Sequence, residues 1–426
     1  MFKNPNIYKL SNGIRVLIDP LPSFESVAAY IMVGVGSRNE TDSGPRSEFG
    51  ISHILEHMAF KGTRNRTNEN IVQEIAAVGG LVNAYTSYDI TAYHIMLLKD
   101  KLDFALEIMS DMFLNSTFPA EELEKEKSVI VQEILTYLDN PQAQAEDLLS
   151  QTVFKGGLAH DIAGSVESVV AATREDLVKY RDETYSPENT IISLSGAVDD
   201  SVAVLAKLEK LFGGWKGALP RDYIRTSYHR GVGGKVRPEL EHSYLKVAWR
   251  SEDNRDRKKN LHIKILANIV GQGMHSRLYR EAREKLNLVY FIGMGNTAFE
   301  DVGLLQIDAQ TMPENVQAVF EAAARIVKDL PKNPITPEEL SRAKAIMRAA
   351  RTISFEDPSR RADSFGAQML SFGEIRAQEE WLADLESATI DDLMKVAGEL
   401  FAALPSVATY GAPHESDLES IAKKFI

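Results

Sequence analysis

His53-Ile54-Leu55-Glu56-His57 places two imidazoles and a carboxylate within five residues. On a helix, positions i and i+4 lie one turn apart on the same face, so both histidines can converge on one ion. Glu56, at i+3 from His53, projects beside them and can serve as a base for water. The order reverses the commoner H-E-x-x-H arrangement of metal-dependent hydrolases. The competing reading is an amphipathic helix whose polar face carries two histidines by chance. Histidine is scarce, nine in 426 residues, which weighs against chance.

A catalytic zinc usually takes three protein ligands and keeps a fourth position for water. Two histidines therefore call for a further His, Asp or Glu elsewhere. The helical stretch 119–138 carries Glu121, Glu122, Glu124, Glu126 and Glu133. Most such residues on a Glu-rich helix are solvated surface charges. Glu133 is set apart because Val129, Ile130, Ile134 and Leu135 flank it in an apolar segment. A carboxylate on a buried stripe needs a partner, and a metal would be one.

The elements that must position these groups can be read from periodicity. Strands are expected over 13–19, 26–35, 81–86, 92–98 and 189–198, where β-branched residues accumulate. Helices are expected over 50–60, 68–78, 101–114, 119–138 and 142–154. Hairpin-like strand pairs beside consecutive helices indicate an α+β fold of antiparallel sheets packed with helices. The chain also repeats itself. Glu122 matches Glu339 at an offset of 217 (339 − 122), Thr173 matches Thr389 at 216 (389 − 173), and Gly196 matches Gly411 at 215 (411 − 196). Three matches in order indicate a duplicated unit of about 215 residues, far longer than a solenoid repeat. The expected division is a first domain over 1–215, a Gly-rich linker over 216–234 and a homologous second domain over 235–426. In the second half, Ala267, Val270 and Gly271 fall opposite His53, Glu56 and His57, and Ala350 falls opposite Glu133. One half thus holds the metal motif and the other lacks it.

Composition narrows the class. Hydrophobic content of 44% with 26% charged residues fits a soluble globular protein. A formal charge of −13 disfavours nucleic acid and anionic membrane as partners. No cysteine is present, so disulfides and thiolate ligands are excluded. The start Met1-Phe2-Lys3-Asn4-Pro5 lacks the apolar core of a secretory signal. The expected location is the bacterial cytoplasm, or the mitochondrial matrix were a leader removed.

His53-x-x-Glu56-His57, with Glu133 lying 76 positions further on (133 − 57), resembles the pitrilysin-like M16 metallopeptidases. It is most similar to the subfamily of mitochondrial processing peptidase and its bacterial relatives. The resemblance includes Leu10-Ser11-Asn12-Gly13-Ile14-Arg15-Val16, His57-Met58-Ala59-Phe60-Lys61-Gly62-Thr63 and Gly80-Leu81-Val82-Asn83-Ala84-Tyr85-Thr86. It continues through Tyr185-Ser186-Pro187-Glu188-Asn189 and Ser276-Arg277-Leu278 with Arg283-Glu284-Lys285.

The resemblance implies two homologous α+β halves closing like a clam shell around a chamber. It implies one Zn2+ per chain on His53, His57 and Glu133, with Glu56 as base and Glu126 supporting the site. Peptide substrates would add as a strand along Asn83, Ala84, Tyr85 and Thr86. Arg283 and Tyr290, seven apart (290 − 283), would reach the substrate from the second half. In processing peptidases two acidic positions receive a basic residue near the cleavage site. Here the matching positions are Ala143 and Asp147, with Glu146 adjacent, so half of that pocket is missing. The expected activity is a zinc endopeptidase for extended or unfolded peptides with a mild preference for basic residues. The expected assembly is a homodimer, with a heterodimer alongside an inactive homologue as the alternative. A non-catalytic subunit of the processing-peptidase or respiratory-complex core type is the competing function. The intact His53, Glu56, His57 and Glu133 argue against it. His94, His160, His229, His242, His262 and His275 are read as ordinary surface or core histidines.

Overall fold

The computed structural model describes residues 3–44, 46–217, 221–414 and 416–426, so residues 218–220 of the expected linker lie outside it. Two compact units interleave along the chain. The first takes Met1–Leu135, His160–Ile224 and Thr352–Gln378. The second takes Thr136–Ala159, Arg225–Arg351 and Glu379–Ile426.

The first unit is built on β1 (Asn6–Lys9), β2 (Arg15–Pro20), β3 (Ser26–Val33), β4 (Leu81–Thr86) and β5 (Thr91–Leu98). The short β6 (Phe154–Lys155) pairs elsewhere, and β7 (Thr190–Gly196) completes the sheet. Its order is β1-β2-β7-β3-β5-β4. Neighbours are antiparallel except β2 and β7, which run parallel, a pairing that the long helical connection before β7 permits. β3 is covered on both faces, which explains an unbroken apolar run where a half-exposed strand would alternate. β4 lies at the sheet edge. The chain's first helices are α1 (Ile51–Met58), α2 (Asn68–Ala77), α3 (Leu102–Asn115) and α4 (Ala120–Leu138). They are followed by α5 (Pro141–Val153), α6 (Val166–Ala171), α7 (Arg174–Thr184) and α8 (Ser201–Phe212). Local chemistry sets their ends. Thr67 caps α2, Thr173 and Asp176 form a reciprocal capping box on α7, and Asn140 caps α5 ahead of Pro141.

The second unit repeats the topology. β8 (Ser227–Tyr228) pairs with β6, while β9 (Val232–Val236), β10 (Ser243–Ser251), β11 (Val289–Ala298), β12 (Gly303–Thr311) and β13 (Ser406–Gly411) form a sheet. Its order is β11-β12-β10-β13-β9, again with one parallel pair, β9 with β13. Two strands therefore occupy part of the stretch expected to be a linker. The remaining helices are α9 (Arg257–Gly271), α10 (Val316–Asp329), α11 (Pro337–Ser354), α12 (Pro358–Phe372), α13 (Gln378–Ser387), α14 (Ile390–Phe401) and α15 (Leu418–Lys423). Buried Trp249 anchors this core against Phe401 and Phe425. No described helix is long and apolar enough to cross a membrane.

The interleaving comes from a reciprocal exchange of equivalent helices. α5 and α12 begin at prolines 217 positions apart (358 − 141). α5, from the first repeat, packs on β13 and β10 of the second unit. α12, from the second repeat, packs on β3 and β7 of the first. There Ala362, Phe365 and Met369 cover Met32, Leu17 and Ile191. Arg361 of α12 is fully buried and bidentate on Asp19 of β2, at 2.6 and 2.7 Å. Ser195 donates to the same carboxylate at 2.6 Å. Asp363 and Glu146 occupy equivalent positions on the two exchanged helices (363 − 146 = 217). Asp363 accepts from the Tyr85 hydroxyl at 2.5 Å, and Glu146 pairs with the Lys246 ammonium.

Candidate metal centre

α1 presents two unlike faces. Ile51, Ile54, Leu55 and Met58 enter the core of the first unit, against residues such as Ile31 and Ile95. His53, Glu56 and His57 project from the remaining face. α4 runs past it with Leu123, Glu126, Lys127, Ile130 and Ile134 buried. The i, i+4 spacing that turns Ile130 and Ile134 inward turns Val129 and Glu133 outward.

His53 Nε2 lies 3.8 Å and His57 Nε2 3.7 Å from the same Glu133 carboxylate oxygen. One donor atom from each of the three residues lies within 4.8 Å of the others. Ligand atoms around a tetrahedral zinc, with bonds of about 2.0–2.1 Å, sit about 3.4 Å apart. The donor set is therefore of the size and chemistry zinc takes.

The groups behind these donors differ. Glu126, 7% exposed, accepts from His57 Nδ1 at 3.0 Å and pairs with Lys61 Nζ at 2.6 Å. The carboxylate accepts from Nδ1, so Nε2 is the ring nitrogen turned toward Glu133. His53 Nδ1 is buried without a hydrogen-bond partner. Burial, helped by neighbouring His57, lowers the His53 pKa to about 4, so the ring is neutral and ready to bind metal at neutral pH. Glu56 is 9% exposed, and Thr86 donates to one of its oxygens at 2.8 Å. Burial raises the Glu56 pKa above the ordinary carboxylate range, with the Glu133 charge adding to the rise; Thr86 and His57 act against it.

The burial of Glu133 expected from its apolar sequence neighbours is not observed. Glu133 does not sit on a buried stripe: its side chain is 54% exposed, and Val129 and Leu135 are exposed as well. Neighbours in sequence are not neighbours on a helix face. The carboxylate that does lie on the buried stripe is Glu126, and it has the two partners that burial demands.

Asn83, Ala84, Tyr85 and Thr86 lie on the edge strand β4, where the Ala84 amide donates to the Asn83 side chain at 2.9 Å. Arg283 and Tyr290 lie in the second unit. The Arg283 guanidinium stands 5.3 Å from the Tyr290 ring and donates to the Tyr290 carbonyl. On α5, Asp147 accepts from Tyr137 at 3.0 Å and from Gln144 at 3.1 Å. Glu146 is engaged by Lys246 and by Gln306 at 3.0 Å. The Lys61 and Thr86 contacts were not read from sequence. Lys61 stands four residues after His57, and that spacing was the available signal.

An α+β chain of two like-topology units, one holding a His-His-Glu donor set, defines a metallohydrolase arrangement. Residues 15–165 match the family described as Insulinase (Peptidase family M16), and residues 171–347 match the Peptidase M16 inactive domain. A protein of Rickettsia felis named an uncharacterized zinc protease is 32% identical over 415 residues, covering 96% of this chain and 98% of its own. The chain belongs to peptidase family M16. Solved structures share the fold. A protease from Helicobacter pylori has a TM-score of 0.88 at 22% identity, covering 97% of this chain and 100% of its own. A chain of Complex III2 from Candida albicans has 0.85 at 17%, covering 99% of each.

The packing of the second unit is consistent with its inactive description. Gly271, opposite His57 in the repeat, lies where a Cβ would stand 2.5 Å from the Met294 amide nitrogen of β11. Ala267 and Val270 beside it are buried in the core. No side chain of histidine size fits at that position.

Proposed function

We propose that the chain is a zinc-dependent endopeptidase acting on extended or unfolded peptides. The convergence of His53, His57 and Glu133, with Glu56 on the same helix, is the observation that carries this reading. These three residues would hold one Zn2+. When bound, the ion supplies Lewis acidity, polarising the scissile carbonyl and acidifying water.

The chain's own residues do the rest. Thr86 holds one Glu56 oxygen, leaving the other to take a proton from water and return it to the departing amine. Glu126 and Lys61 fix the His57 ring. The edge strand β4 offers backbone groups to an extended peptide, with Asn83, Ala84, Tyr85 and Thr86 as contacts. Family resemblance assigns Arg283 and Tyr290 to holding the substrate, and Asp147 to a mild preference for basic residues. Glu146 would contribute only by releasing Lys246, so its part in that preference is the weaker. The first half, 1–215, is assigned catalysis. The second, 235–426, is assigned substrate contact across the 216–234 connection. The working assembly is a homodimer.

The fold shared with a Complex III2 chain leaves a non-catalytic subunit as the second reading. Its retained donor set and base set this chain apart from such a role. The deciding experiment uses the purified chain with unstructured peptides. Hydrolysis should stop on chelation and return with zinc. Zinc-loaded protein that leaves every peptide intact would favour the subunit reading.

A further inference from the structure

The start of α1 lacks a cap of its own. Gly50 stands at the N-cap with φ of +90° and no side chain to accept the helix's first amides. An alanine there would also meet the Ala163 carbonyl at 2.4 Å. The missing acceptor comes from ten residues upstream. Glu40, fully buried, accepts from the Gly50 amide at 2.8 Å with one oxygen and from the Ser52 amide at 2.9 Å with the other. His160 closes the site from the far side. Its Nε2 donates to the Ser37 carbonyl at 3.0 Å and lies 3.5 Å from Glu40, while its ring stacks on Phe49 at 4.1 Å.

Glu40 ends a turn anchored at a second place. The Ser37 amide donates to the Ser87 carbonyl at 3.1 Å, and the Arg38 amide to the Tyr88 carbonyl at 3.0 Å. Ser87 and Tyr88 immediately follow Thr86, which holds Glu56, and they close the hairpin of edge strand β4. One turn thus joins the head of the candidate metal-ligand helix to the loop ending the candidate substrate strand.

We propose that Glu40 is a positioning residue, setting α1 against β4 so that Glu56 and the His53–His57 pair stand in register with a bound peptide. Ser52, which Glu40 grips, directly precedes His53, so slippage at this contact is passed straight to the ligands. The inference rests on the peptidase reading above.

The test compares the full-length wild-type chain with Glu40→Gln. Glutamine keeps the size but turns an amide toward a backbone donor. The expected result at saturating zinc is a fall in kcat of about tenfold or more, with KM within about twofold, since misalignment acts on the reaction step. Competition with a chromogenic chelator should show weaker zinc binding. A role confined to stability would lower the melting temperature and leave kcat unchanged at temperatures well below it. Wild-type kcat and zinc affinity in folded Glu40→Gln would overturn the proposal. Should that variant fail to fold, Glu40→Asp keeps the carboxylate but draws it back from the Gly50 and Ser52 amides, and should shift kcat in the same direction. Wild-type kcat in it would then be the overturning result. A wild-type chain that neither binds zinc nor cleaves peptide would sink the peptidase reading itself and this inference with it.

Discussion

Glu56 has Thr86 on one oxygen and stands beside three potential ligands, so metal binding and proton transfer can be tested apart. Glu56→Gln keeps the three proposed ligands and removes the proposed base, so zinc should be retained while hydrolysis is lost. Metal analysis alongside a peptide assay checks both, and substantial turnover would refute the assigned role. His53→Ala and Glu133→Gln should lose metal and activity together. A full zinc complement in either variant would strike that residue from the ligand set. Behind them, Lys61→Met leaves Glu126 buried without its cation. Zinc affinity should fall about 10-fold, at the low end for disturbed outer partners of a metal site, as read by chelator competition.

At the scale of elements, the edge strand depends on a helix supplied by the other repeat. Tyr85 of β4 donates to Asp363 of α12, and Ser359 of the same helix meets Tyr30 at 2.7 Å. Tyr85→Phe leaves Asp363 short of a donor and should lower stability by about 1–2 kcal/mol. With β4 less firmly held, KM for extended peptides should rise more than kcat falls. Steady-state kinetics with unchanged KM would argue against β4 as the substrate strand. The elements themselves were largely legible. The 26–35 strand appears as Ser26–Val33, and the 119–138 helix as Ala120–Leu138. The His-x-x-Glu-His spacing put both imidazoles on one face of α1 because i, i+4 geometry is local. Glu40 and His160 gave no such signal, since their roles depend on segments meeting in space.

The whole molecule turns on the exchange of α5 and α12. A fragment ending at residue 215 lacks α12, so Leu17, Met32 and Ile191 lose their cover. Such a fragment should aggregate or unfold without cooperativity, and supplying the remainder of the chain in trans should rescue it. Sharp two-state unfolding of the isolated fragment, followed by circular dichroism in denaturant, would contradict this. The same exchange rests on Arg361 and Asp19, both buried. Arg361→Met leaves Asp19 an uncompensated charge and should cost about 3–5 kcal/mol, measurable by chemical denaturation.

The sequence by itself determined the helix carrying His53, Glu56 and His57, the duplication and the absence of that motif in the second half. Each is written in residue types at short or constant spacing. Tertiary structure alone decided which glutamate of α4 lies buried, which helix covers which sheet, and what holds the head of α1. Those outcomes depend on burial and on contacts between residues as far apart as Asp19 and Arg361. Local periodicity does not encode such contacts.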